Sequence, residues 1–268
     1  MTVQAPAVSP HRVDTRHRLT FVRALHGEWI KLATLRSTWW SIGITGLLTV
    51  AIAVLIAQNV VDPGFNPVQA VVSPFQFTML LAGILGAISV TGEYSTGMIR
   101  STLTANPVRG SVLAAKAAVL SATMFVSSLV IFGLAAVAVS VIVAGRDQSI
   151  DWSDPSSSLL PIVVASLAMA VFTTIGVAFG FILRSGAGAI AATVGLLFVL
   201  PIVLSMFAMV GEAGRWVMDA AGYLPAAAAQ AAILPGDGSD APVAYLTLAC
   251  WVAAGMLSAW AVLRTRDA

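Results

Sequence analysis

Residues 93–116 read E-Y-S-T-G-M-I-R-S-T-L-T-A-N-P-V-R-G-S-V-L-A-A-K. The stretch is polar and basic, carrying Arg100, Arg109 and Lys116. It interrupts sequence free of Asp, Glu, Lys and Arg from Pro63 to Gly92 on one side and from Ala117 to Gly145 on the other. A helix needs roughly 20 apolar residues to cross the hydrocarbon core of a bilayer, and both runs exceed that. Residues 93–116 are then what the chain presents to water between two crossings, and the fold class is an all-α polytopic membrane protein.

Composition agrees. Of 268 residues, 58% are hydrophobic and 10% charged, with a mean hydropathy of +0.91. A soluble globule carries about a quarter charged residues to cover its surface. The single cysteine, Cys250, lies in an apolar run and leaves no intrachain disulfide to form. A net charge of +2 is too small to argue for nucleic acid, and none is expected as a partner.

Working outward, charge-free windows at 37–61, 63–92, 117–145, 155–183, 185–211 and 241–263 predict six transmembrane helices near 39–59, 73–92, 115–144, 159–183, 187–210 and 241–263. The fourth and fifth are parted only by Arg184-Ser185-Gly186-Ala187-Gly188. Without a turn there, Leu159 to Val210 would make one helix of about 78 Å at 1.5 Å per residue, more than twice the bilayer core. Residues 211–240 are apolar from Ala220 to Leu234 but divided by Pro225 and ended by Pro235-Gly236. They are expected to form an extracellular re-entrant or interfacial helical hairpin before the last span, with Trp216 and Tyr223 at headgroup level.

Residues 1–18 hold Pro6, Pro10 and four charged residues with little apolar content, the composition of a disordered cytosolic tail. They are not expected to be a cleavable signal peptide, because the first apolar run starts near Trp39 and has full spanning length. Residues 19–38 read as an amphipathic helix. Phe21, Val22, Leu25, Trp29, Leu32 and Ala33 share one arc and Arg23, His26, Lys31 and Thr34 lie opposite. Glu28 and Arg36 fall on the apolar arc and Ile30 on the polar one, so the stripe is imperfect. Two placements stay open, the membrane interface and packing on the protein's own cytosolic ends.

With the amino terminus inside, twelve of the 14 basic residues face the cytosol, and only Arg146 and Arg215 lie outside. A seventh crossing at 220–234 would export Arg264 and Arg266 against the positive-inside rule. Both termini are therefore expected in the cytosol.

Several chemistries are excluded. His11, His17 and His26 all precede the first span, so no intramembrane metal site or histidine base is expected. No Asp, Glu, Lys or Arg lies within a predicted crossing, and Glu93, Lys116 and Arg184 sit at ends. Carriers coupled to ions or protons usually keep such residues near the midplane. Neither lysine, Lys31 in W-I-K-L or Lys116 in L-A-A-K-A, stands in the glycine-rich setting of a phosphate-binding loop. The chain is not expected to be an enzyme, nor to hold a cofactor or metal; any ATP and Mg would sit on another polypeptide.

The segment from Glu93 to Lys116 resembles the first cytosolic loop of the ABC type-2 permeases, the membrane subunits of many bacterial ATP-binding-cassette exporters. Glu93, Gly97, Arg100, Pro107, Arg109 and Lys116 stand where that family has its acid, glycine, basic residues and proline. The run E-W-I-K-L-A-T-L-R-S-T-W-W, with Glu28, Trp29, Lys31 and Arg36, is similar to the family's amphipathic first helix. The short R-S-G-A-G turn departs from the family in leaving no room for a sizeable second coupling element. The resemblance implies a permease in the bacterial plasma (inner) membrane that exports a substrate, pairs with a second copy as a homodimer, and is driven by separate ATPase subunits. Residues 93–114 would be the coupling loop, with Tyr94–Ala105 a short helix stopped at Asn106 ahead of Pro107. Glu93 could cap its span, pair with a loop arginine or meet the ATPase. An ATP-independent carrier or channel, or a non-transporting anchor or sensor, are the rival readings. Gly176-x-x-x-Gly180 is assigned to contact within one subunit before a dimer seam. Pro201 marks a kink or a tolerated proline. Phe179, Phe181, Phe198 and Phe207 are assigned to lipid or packing, and no substrate residue is named.

Overall fold

A computed structural model describes residues 20–60, 65–146, 148–207, 211, 214–234 and 241–266. The predicted tail at 1–18 lies outside these residues, as do parts of the 211–240 hairpin. Among them there is helix and no strand. The helices are α1 (Phe21–Thr34), α2 (Arg36–Asn59), α3 (Pro67–Val72), α4 (Phe75–Ser95), α5 (Met98–Ala105), α6 (Arg109–Ala144), α7 (Leu159–Leu183), α8 (Gly186–Val194), α9 (Leu200–Ser205), α10 (Arg215–Gly222), α11 (Pro225–Ile233) and α12 (Ala241–Thr265). Six stretches are long and apolar enough to cross a membrane: 36–59, 67–95, 109–144, 159–183, 186–205 and 241–265.

Each predicted span is found, with shifted ends. The amphipathic helix stops at Thr34, because Leu35 is extended, and Arg36 opens the first spanning helix rather than closing the one before it. The second span begins earlier, at Pro67, where Asn66 accepts a hydrogen bond from the Val68 N–H. It steps through Ser73-Pro74 before α4. The third starts at Arg109, so Lys116 lies two turns inside a helix and not at its mouth.

The bundle is built around α7, most of whose residues are buried. It packs on α4, α6, α11 and α12. The α4–α7 contact is backbone on backbone. A Cβ added to Gly176 would overlap the carbonyl oxygen of Gly83, and one on Gly180 would stand 2.7 Å from Val90 Cβ. Small residues permit that approach where lipid supplies no hydrophobic drive between helices. The Gly176-x-x-x-Gly180 pair therefore serves contact within one chain. Ser121 and Thr174 add a hydroxyl–hydroxyl bond of 2.7 Å between α6 and α7. Phe181 is fully buried and Phe179 packs on the core, while Phe198 and Phe207 are exposed.

The fifth span is continuous but not uniform. Between α8 and α9, Gly195–Val199 forms a single π turn, and the Leu200 N–H donates to Gly195 O. Pro201 has no N–H to give, and its ring crowds the carbonyl four residues back. A wider turn relieves that crowding, one recognised route around a helix proline. At the opposite end from α5, α10 and α11 form the described part of the expected hairpin. α11 is buried along Ala228, Ala229, Ala232 and Ile233, and Trp251 Nε1 donates to Tyr223 O at 2.9 Å. Trp216 and Tyr223 are exposed.

Candidate functional site

Four charged side chains from three elements meet beneath α5. Lys116 Nζ of α6 donates to Glu28 Oε2 of α1 at 2.6 Å and to Glu93 Oε1 of α4 at 2.8 Å. Lys31 Nζ of α1 donates to Glu28 Oε1 at 2.7 Å, to Glu93 Oε1 at 2.9 Å and to Thr102 Oγ1 of α5 at 3.3 Å. Two ammonium groups and two carboxylates alternate, so the knot is neutral. Glu28, Glu93 and Lys116 are buried and Lys31 half-buried. Separated from its partners any of these charges would be costly to hold there; paired, they fix α1, α4, α5 and α6 to one another.

Burial alone would raise the Glu28 carboxyl, but the charge and hydrogen bond of Lys116, with those of Lys31, leave it below its ordinary value. For Lys31, burial works to lower the ammonium, and hydrogen bonds to Glu28 and Glu93 outweigh it, leaving it raised. Both groups are thus held in their charged forms.

The path from α4 to α6 follows from local sequence. Gly97 sits in the left-handed region, at φ 72°, and its N–H donates to Tyr94 O while that of Thr96 donates to Gly92 O. This is a glycine-terminated helix end, and it turns the chain into α5. The short helix starts at Met98 rather than Tyr94, because α4 runs on to Ser95. Ile99 is its one buried residue, and Arg100 is exposed. At Asn106, before Pro107, the backbone is extended and the helix stops as expected. Asn106 Oδ1 accepts from the Val108 N–H at 3.2 Å and so shapes the step into α6.

Arg109 turns the other way, donating through Nη1 to Leu263 O and to Arg266 O. Arg184 Nη2 donates to Arg266 O at 3.2 Å, and its guanidinium lies 5.3 Å from the centre of the Tyr94 ring. Two cations therefore meet the negative end of α12. Arg146 does the same for α2 at the far side of the bundle, donating to Ala57 O and Gln58 O.

Of the residues singled out in the sequence, the structure brings Glu28, Lys31, Glu93 and Lys116 together. It sets Arg100 on the exposed face of α5, Gly97 and Pro107 at its two ends, and the Arg109 side chain against the end of α12. Trp29 and Arg36 lie elsewhere, exposed. Glu93 takes neither of the first two roles expected of it. It pairs with lysines rather than a loop arginine, and its Oε2 is buried with no hydrogen-bond partner among the described residues. Sequence reasoning missed the knot, although Glu28 on the apolar arc of α1 was its signal. Thr102 gave none.

The sequence model of the family described as ABC-2 family transporter protein matches residues 48–263. That range takes in Glu93, α5 and Lys116 and leaves out Glu28 and Lys31. No curated protein matches the chain.

Proposed function

We propose that this chain, which belongs to the ABC-2 transporter family, is the permease half of an exporter whose ATP is hydrolysed on separate subunits. The coarser statement, a multi-pass membrane permease of an ABC transporter, follows from the family match and six apolar helices. The finer reading is ours: two copies of the chain in the bacterial inner membrane, termini in the cytosol, two ATPase subunits against the exposed face of α5.

One observation carries it. α5 is a short helix with an exposed arginine, tied from below by Lys31 to α1, α4 and, through Glu28 and Glu93, to α6. A push on α5 would reach two spanning helices and the amphipathic helix at once, because ion pairs and a glycine turn leave little slack between them. Arg100 is the contact we assign to the ATPase, and Glu93 the residue that transmits.

The test is ATPase activity of the co-purified complex, with and without permease variants. Arg100→Ala should leave the permease folded and weaken docking at least about tenfold, the scale of one interface arginine. Glu93→Ala should keep docking and lose the stimulation of ATP hydrolysis. Wild-type docking and stimulation in both variants would remove α5 from the mechanism. Transport by this chain alone in liposomes without nucleotide would favour the carrier reading instead.

A further inference from the structure

On the side away from the ionic knot, α1, α2 and α6 leave a groove of about 1390 Å³, above the ~300–1,000 Å³ of a pocket for a small ligand. Its α6 wall includes Ala118, Ala122, Val126, Val130 and Leu134, one residue in four and all exposed, so they form a row running obliquely along the helix. The row is about 24 Å long at 1.5 Å per residue, against ~15 Å for the hydrocarbon of one leaflet.

Across from it, α2 supplies Trp39, Gly43, Gly46 and Leu47. A Cβ on Gly43 would meet nothing within 4 Å, whereas one on Gly46 would lie 3.1 Å from Ile131. The floor is therefore open at 43 and pinched at 46. Leu25, His26 and Trp29 of α1 wall one end. Two of the polar groups lining it are turned to backbone: Trp39 Nε1 donates to Ala33 O at 3.1 Å and Thr123 Oγ1 to Val119 O at 2.8 Å.

Arg36 stands one turn ahead of Trp39 on the same face of α2, exposed, at the α1 end. It has no hydrogen bond or ion pair among the described residues. Glu28, the acid of α1, is turned away to Lys116. A long hydrocarbon groove with an unopposed cation at its α1 end complements an anionic amphiphile. A helix of a second copy would need ~10–12 Å of width and a way past α1.

We propose that the groove holds an acyl chain of an anionic phospholipid from the leaflet bordering α1, with the phosphate at Arg36. The proposal stands apart from the transport reading, since it needs only that α2 and α6 cross the bilayer.

The experiment is native mass spectrometry of the full chain released from nanodiscs of equal phosphatidylglycerol and phosphatidylcholine. The wild type should retain one phospholipid per chain, enriched in phosphatidylglycerol. Gly43→Leu and Ala122→Leu each place a side chain in open space and should each lower retention about tenfold. Arg36→Gln should keep a lipid and lose about fivefold of the anionic preference, what one arginine near an anionic surface supplies. Unchanged retention in a folded filling variant would overturn the proposal. So would a wild type without lipid whose dimer is lost in Gly43→Leu, which would give the groove to a second copy.

Discussion

Lys116 places an ammonium two turns inside an apolar helix and meets two carboxylates there. Removing it leaves two buried acids sharing Lys31 alone. Lys116→Met is expected to destabilise the purified protein by about 3–5 kcal/mol, the cost of breaking a buried pair, and Lys116→Met with Glu93→Gln by less. Thermal unfolding in one detergent reads both. The knot also sets a pH window. Glu28 titrates below its ordinary 4.5, so its contribution is present above that value and is lost as pH falls through the lowered one. Lys31 is raised above 10.5, so its contribution is present below that value and is lost as pH rises through the raised one. Proteolytic release of α1 should therefore be flat across neutral pH and increase at both extremes. A midpoint near pH 7 would mean that other groups hold α1.

Among the elements, one glycine ends α4 and another lets α7 approach it. At Gly97 a side chain would meet nothing within 4 Å, so Gly97→Ala should cost only the left-handed backbone, about 1–2 kcal/mol. The loss should appear as faster hydrogen exchange in 96–105 and not elsewhere. At Gly176 there is no room, and Gly176→Ala must part α4 from α7; a loss of about 1–3 kcal/mol of global stability is expected, as for an overpacked core. Apolar run length revealed the six spans, because spanning a bilayer is a requirement on single helices. The stop at Asn106 was legible because proline restricts the residue before it. What joins elements was not. Leu35 carries no mark of a break, and nothing in L-A-A-K-A says that Lys116 faces Glu28, 88 residues away. Such pairings depend on where helices lie beside one another, which periodicity within one helix does not encode.

Taken whole, the molecule gathers Arg109, Arg184 and the end of α12 with the knot and α5 at one face, and sets Arg146 against the end of α2 at the other. In a Cys250→Ser background, Arg100→Cys is expected to react with a membrane-impermeant maleimide only after cells are opened. Labelling of intact cells would reverse the orientation. The π turn at Gly195–Val199 bears on the molecule's outline in a different way. It winds in one residue more than the α turns around it, so the segment beyond it is rotated by about 100° from the heading that α8 would have given it. α8 is seated against α4, with Thr193 beside Gly83, while Ile202 and Val203 point outward. Excising a single residue of the turn would swivel that outer rim and leave the seated half in place. The profile shown to a neighbour in the membrane is thus set by one inserted residue, like a shim under one end of a beam.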